Sequence, residues 1–250
     1  MEMDFTMILP EECQSLIMSF TSPADACRSA MVDNALRSAV DFDAVWEKFL
    51  PSDYKSIILG SSSSSSSWLL SLGKKDLYLK LCFDPILLQN GTMSFQLEKG
   101  SGKKCYMLGA RELAVIWGNT PAYWNWTSQP DSRFPEVAEL EEVWWLDVTG
   151  KIKTRILSSD TNYAVYLVFR LRDTDATGFR RRTVGLHVNV DGIAVVEVRR
   201  VSLDPRDESQ HVRERRDGRM EVEMGEFFND CGDNGTVEFS MKDLDTNYRK

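Results

Sequence analysis

Histidine is almost missing from this chain: His187 and His211 stand alone among 250 residues. Imidazole is the side chain that titrates nearest neutrality, and it is the commonest metal ligand. Its scarcity closes most routes to acid–base and metal chemistry. His187 alternates with strand-forming residues and reads as structural. His211 lies in a charged stretch, DPRDESQHVRERRDGR. Cysteine is also sparse. Cys13, Cys27, Cys82, Cys105 and Cys231 are odd in number and far apart, with no C-x-x-C among them. They read as reduced thiols of the cytosol or nucleus, not as a disulfide framework or a metal cage. The chain has no H-E-x-x-H, no G-x-S-x-G and no P-loop. Carboxylates such as Glu141-Glu142 and Glu221/Glu223 read as solvated faces and not as a glycosidase pair. The expectation is a protein that is not an enzyme, with no catalytic residues, no metal site and no cofactor.

Long apolar runs are missing too. No stretch of about 18 apolar residues occurs, so no membrane-spanning helix is expected. The start, MEMDFTMILPEEC, has no positive charge and does not read as a signal peptide. A surplus of positive charge is absent: 38 acidic residues face 30 basic ones, a net charge of −8, which argues against nucleic acid as a main partner. Arg180-Arg181-Arg182, and Arg213 with Arg215-Arg216, are too short for a firm nuclear signal. The acid excess is uneven. Residues 1–58 carry ten acidic and four basic residues, so two units with different surfaces are expected.

What is present divides the chain. Residues 8–54 read as short helices. Pro10 followed by Glu11 and Glu12 is a helix start, with acids at the positive end of the dipole. Leu16, Ile17 and Phe20 give that helix an apolar stripe. Ser22-Pro23-Ala24-Asp25 is a second start. Phe42, Val45, Trp46, Phe49 and Leu50 follow helical spacing, and Pro51 stops them. Gly60 and the seven serines of 61–67 read as a flexible tether. KKDLYLKLC (74–82) reads as one more helix. From about 92 the period changes to two: Met93, Phe95, Leu97; Ile152, Thr154, Ile156; Met220, Val222, Met224; Val237, Phe239, Met241. YAVYLVFRL (163–171) reads as a strand buried on both faces. Asp191-Gly192, between TVGLHVNV and IAVVEVRRV, is a hairpin signal. The expected fold is α+β and multidomain: a small helical unit over 1–58, a linker and short helix over 59–90, and an antiparallel, jelly-roll-like β-sandwich over 91–250.

Five of seven tryptophans fall within 105–150, at 117, 124, 126, 144 and 145. Gly118, Asn119, Pro121 and Asn125 are turn residues set among them. An aromatic ring on a loop offers a flat apolar face and one donor, which suits the C–H face and hydroxyl rim of a sugar. On the residues alone, Trp117 and Trp145 lean to the core. Trp124 and Trp126, with Tyr123, lean to a loop platform.

These stretches resemble two known modules. LPEEC (9–13), Ile17, Phe20, SPADACRSA (22–30), LRSA (36–39) and VWEKFLPSDY (45–54) resemble an F-box, in the form found in plant F-box proteins with a lectin-like second domain. KKCYMLGARELAVIWG (103–118), YWNW (123–126), PDSRFPEVAEL (130–140), WWLDVTGKI (144–152), YAVYLVFRL and DGRMEVEMGEFFND (217–230) resemble the phloem-lectin, or Nictaba-like, domain. The resemblance implies the substrate-recognition subunit of a cullin–RING (SCF-type) ubiquitin ligase, held by a Skp-type adaptor in nucleus and cytoplasm. Leu9, Pro10, Ile17, Phe20 and Trp46 would meet the adaptor. The second domain would bind carbohydrate of the N-glycan or N-acetylglucosamine type. Trp117 and Trp124 match the family's sugar-contacting positions, Trp126 a nearby aromatic, and Glu226 would accept hydroxyl hydrogen bonds. Two departures stand out. Asp33-Asn34-Ala35-Leu36 replaces a more basic run with an aromatic. The end at DLDTNYRK precedes a further apolar strand usual in the family, so a strand edge is expected to be left open. Two other readings stay open: direct protein binding by the sandwich, and a stand-alone stress lectin.

Overall fold

The computed structural model describes residues 9–62, 66–171, 183–195, 197–204, 212–230 and 234–243. Ser63–Ser65 of the expected tether, the Arg180–Arg182 run, His211 and Cys231 lie outside the described residues. The chain forms two compact units, Met1–Met107 and Leu108–Lys250.

The first unit opens with helices α1 (Glu11–Met18), α2 (Pro23–Ser29), α3 (Asn34–Asp41), α4 (Asp43–Phe49) and α5 (Tyr54–Leu59). Their starts follow from capping chemistry. The Ser22 hydroxyl accepts from the Asp25 amide, and the Asp33 carboxylate accepts from Ala35, which satisfies amides that a helix start leaves orphaned. Two more helices, α6 (Ser66–Ser71) and α7 (Lys74–Phe83), lead into strands β1 (Ile86–Leu88), β2 (Met93–Leu97) and β3 (Lys104–Leu108), ordered β1-β2-β3. Trp46, Phe49, Tyr54, Leu77, Tyr78, Leu81, Phe95 and Leu97 form one core. This moves two expected boundaries. The segment 59–90 is largely folded: Leu77 and Leu81 are fully buried against the helices. The strands that begin at 86 belong to the first unit, because Phe95 and Leu97 complete its core. Two serines are also tied in, since Ser61 bridges Leu88 and the Ser62 amide donates to the Leu87 carbonyl at 2.8 Å.

The second unit is antiparallel β. It holds β4 (Ala114–Val115), β5 (Trp124–Thr127), β6 (Val137–Leu140), β7 (Asp147–Lys153), β8 (Thr161–Phe169), β9 (Thr183–Val190), β10 (Ile193–Ala194), β11 (Arg199–Ser202), β12 (Arg213–Glu214), β13 (Met220–Asn229) and β14 (Thr236–Asp243). One sheet runs β10-β9-β14-β7-β4, with β11 also on β9; a second runs β12-β13-β8; β5 and β6 make a ribbon. The turn after β9 uses Asp191 at φ 50° and Gly192 at φ 81°, the positive pair a tight hairpin demands. Val184, Leu186 and Val188 of β9 and Val222, Met224 and Phe227 of β13 are buried, and the two strands pack together.

On β13 the inward positions change parity, from Val222 and Met224 to Phe227 and Asn229. A register shift between Glu223 and Gly225 causes it: an added residue turns the strand over. Gly150 is required for space. It faces Phe239 across β7 and β14, and a β-carbon there would lie 2.3 Å from the ring. Two strand expectations are corrected. Thr154–Ile156 is a 3-10 turn, held by the Thr154 amide on the Gly235 carbonyl. β8 is buried on neither face and alternates half-buried with exposed residues over most of its length.

Candidate functional site

The aromatic segment is built around the β5–β6 ribbon, with Trp124 opposite Leu140 and Trp126 opposite Ala138. Each indole is pinned by its N–H. Trp124 Nε1 donates to the Ile116 carbonyl at 3.1 Å, and Trp126 Nε1 to the Gly118 carbonyl at 2.7 Å. Trp124 is only 6% exposed, so it packs in the interior and is no loop platform. Once strand pairing fixes the ribbon, the Ile116 carbonyl is the donor's partner and the ring has no outlet. Trp126 is half-buried, and the Arg111 guanidinium lies 3.6 Å from its ring centroid. Arg111 is held in turn by Glu136 through two bonds of 2.9 and 3.1 Å. That fork holds the Glu136 carboxyl below its ordinary pKa. The open face of Trp126 is thus taken by a cation.

Trp117 and Trp145 are also corrected, in the opposite sense. They are 43% and 45% exposed, and Trp144 is 54% exposed. Trp117 has φ 52°, the left-handed region that costs an ordinary residue about 1–3 kcal/mol. Bonds from Thr120 N–H to the Trp117 carbonyl (2.8 Å) and from Gly118 N–H to the Val115 carbonyl (3.0 Å) hold this turn. Its ring lies 5.4 Å from that of Tyr123 at an interplanar angle of 47°. The structure therefore brings Trp117 and Tyr123 together at the surface. Glu226 is exposed on β13 opposite Ala164, and among the described residues no hydrogen bond joins it to the aromatic turn.

The first unit carries a different surface. Helix α1 is inside out: Gln14 and Ser15 are buried, while Leu16 is 57% and Ile17 41% exposed. Gln14 Nε2 donates to the Leu9 carbonyl at 2.8 Å, which fixes the entry to the helix. Leu9 is half-buried and Pro10 exposed. Phe20 is 79%, Met31 73% and Val32 81% exposed. Met31 and Val32 were not among the expected contacts; only their apolar character in a turn after α2 hinted at them. Trp46 is corrected outright. It is fully buried, donates to the Val40 carbonyl at 2.7 Å, and packs on Phe49 and Tyr78. It builds the core of the first unit and offers no exposed surface of its own.

The phloem protein 2 family model matches residues 103–250. The chain belongs to the phloem protein 2 family. It is similar to the putative F-box protein PP2-B12 of Arabidopsis thaliana, 44% identical over 220 residues that make up 88% of this chain and 83% of that protein. It is similar to F-box protein PP2-B10 of the same plant, 42% identical over 248 residues, 95% of this chain and 86% of that one. F-box protein SKIP3 from that organism is 39% identical over 249 residues, 96% and 82% of the two chains. The phloem protein 2 match begins in the hairpin just before β3, close to where the second compact unit starts. The helices that precede it fall within the matches to PP2-B10 and SKIP3, both named F-box proteins, which cover 95% and 96% of this chain.

Proposed function

We propose that this chain is the non-catalytic substrate-recognition subunit of an SCF-type ubiquitin ligase, acting in nucleus and cytoplasm. Its helical unit would dock a Skp-type adaptor, and its phloem protein 2 domain would bind carbohydrate on target glycoproteins. The inside-out α1 carries the reading. A helix that buries glutamine and serine and exposes leucine, isoleucine and a neighbouring phenylalanine is arranged to be covered. The docking surface is Leu9, Pro10, Leu16, Ile17, Phe20, Met31 and Val32. On the second unit, Trp117, set beside the half-buried Tyr123, is the aromatic face, and its left-handed backbone fits a ring held out for use. A single weak sugar contact, with a dissociation constant near 1 mM, corresponds to about −4 kcal/mol. Recruitment then gains from repeated contacts.

A double variant, Ile17→Asp with Phe20→Asp, tests the docking surface. Both side chains are exposed, so folding should persist while co-purification with a Skp-type adaptor is lost. Undiminished adaptor binding overturns the assignment. The exposure of Trp144 and Trp145 beyond the Trp117 turn favours a second reading, direct protein binding through aromatic anchors. Glycan and peptide arrays probed with the full chain separate the two. Signal on peptides alone removes the carbohydrate reading.

A further inference from the structure

We infer that the outer face of the β12-β13-β8 sheet holds a binding site for a carboxylate-bearing sugar, a single hexuronate ring set beside Tyr166. The strand register builds it. Tyr166 of β8 stands opposite Glu223 of β13, and Arg213 of β12 stands opposite Glu221. Val222 and Met224 of β13 are buried, so Glu221 and Glu223 between and beside them point outward and share one face. Arg199 reaches this face from β11, which belongs to the other sheet, and donates to the Glu223 carbonyl at 3.1 Å. Together these five side chains line a cavity of about 210 Å³. That is below the roughly 300–1,000 Å³ of sites for drug-sized ligands, so the space suits one ring. The register shift of β13 begins at Glu223. Bulges are over-represented beside functional sites, where they re-aim a side chain.

The polar groups select the occupant. Glu221 is engaged by Arg215 at 2.8 Å. Glu223 is held loosely: the Tyr166 hydroxyl donates to it at 3.3 Å, and the Arg199 guanidinium lies 3.6 Å away. It keeps acceptor positions for the hydroxyls of a ligand. Arg213 is exposed and, among the described residues, carries no ion pair. An open guanidinium is a planar fork of donors that matches a carboxylate. The Tyr166 ring is 43% exposed and offers a flat apolar face. Burial first, and then Glu223, push its phenol pKa up, so it stays a protonated donor at neutral pH. Cation, acceptor and ring within one small cavity fit a molecule with one carboxylate, several hydroxyls and a C–H face. A neutral hexose would leave Arg213 unused. An acidic peptide would use the arginines but set its carboxylates against Glu221 and Glu223.

The site does not rest on the carbohydrate reading of the Trp117 turn. That turn lies between β4 and β5 and shares no residue with this cavity. The ligand differs too, an anionic sugar in place of a neutral one, so the two readings can fail separately. One ring held by exposed groups binds weakly, and a chain of such rings gains by rebinding.

Ligand-observed NMR titration of the full chain tests this, with methyl glucuronide and methyl galacturonide beside the neutral methyl glucoside and galactoside and a glutamate-rich peptide. One of the uronides should bind about tenfold more tightly than its neutral counterpart, and added salt should weaken it. Arg213→Gln should remove that preference, and Tyr166→Ala should abolish uronide binding. Both side chains are exposed, and thermal melting checks that the variants fold. Trp117→Gly should leave uronide binding unchanged. Binding of neither uronide overturns the inference, as does a preference indifferent to Arg213→Gln. Uronide binding that is lost in Trp117→Gly and kept in Tyr166→Ala places the ligand at the aromatic turn and overturns it as well. Binding of the peptide without the uronides replaces the sugar with a protein partner.

Discussion

Replacing Trp124 and Trp117 one at a time separates a ring that builds the domain from a ring that the domain displays. Trp124 is 6% exposed, and its indole N–H donates to the Ile116 carbonyl. Trp124→Ala removes a buried aromatic, which costs about 3–5 kcal/mol including the cavity left behind. It also strips the Ile116 carbonyl of a donor, adding about 1 kcal/mol. For a unit of this size each kcal/mol lowers the melting temperature by about 2–4 °C, so a fall of about 10–20 °C is expected. Trp117 is 43% exposed and sits at φ 52°. Trp117→Gly removes the ring and relieves the left-handed strain, a relief of about 1 kcal/mol that offsets part of the lost packing. Its melting temperature should stay within a few degrees of the parent while glycan binding disappears. The assay is calorimetric melting of the full chain beside titration with an N-acetylglucosamine oligomer. If Trp124→Ala melts with the parent and abolishes binding, the ring is a platform and the burial argument fails. If Trp117→Gly leaves binding intact, the site lies elsewhere.

Other expectations follow from the same geometry. Gly150→Ala would set a β-carbon 2.3 Å from the Phe239 ring, and overpacking of this kind costs about 1–3 kcal/mol; a melting temperature equal to the parent's would refute the close approach. His187 has its pKa held below the ordinary 6.5, first by burial and then by Lys242, with Asp147 opposing. Because the unfolded chain then binds the proton more readily than the folded one, stability should fall as pH drops through about 6.5, and His187→Gln should flatten that part of the denaturation profile.

Much of the helical unit was legible because its signals are local. Ser22 caps α2 by a bond to a residue three positions on, and Val45, Trp46 and Phe49 share a face by spacing alone. Asp191-Gly192 announced its hairpin in the same way. The roles of the tryptophans were not legible. Turn residues around Trp124 pointed outward, but the Ile116 carbonyl that receives its N–H is brought near by folding. Trp145 read as core, yet it is its neighbour Leu146 that is buried. Trp46 had the apolar character of an interface residue and the helical position of a core one, and packing against Tyr78 decided between them. The bulge on β13 is invisible in an alternating pattern, since MEVEMGEFFN still alternates on each side of it. The helix over 74–82 was legible, but the unit it joins was not: Phe95 and Leu97 carry the same period of two as the later strands, and only folding assigns them to the first core.

The position of β14 has a consequence for how the protein is made. β7 and β9 do not pair with each other; β14 lies between them and bonds to both. A ribosome delivers β7 and β9 well before the strand that joins them. Until residues 236–243 leave the exit tunnel, both neighbours carry unsatisfied edges, and Val184, Leu186 and Val188 have no finished layer to enter. The first unit, by contrast, has its core in hand by Tyr106, with β3 closing its sheet. Synthesis should therefore produce a folded helical head trailing an unassembled sheet, open to a chaperone that covers apolar strands late in translation, and premature stops within β14 should be cleared as misfolded chains.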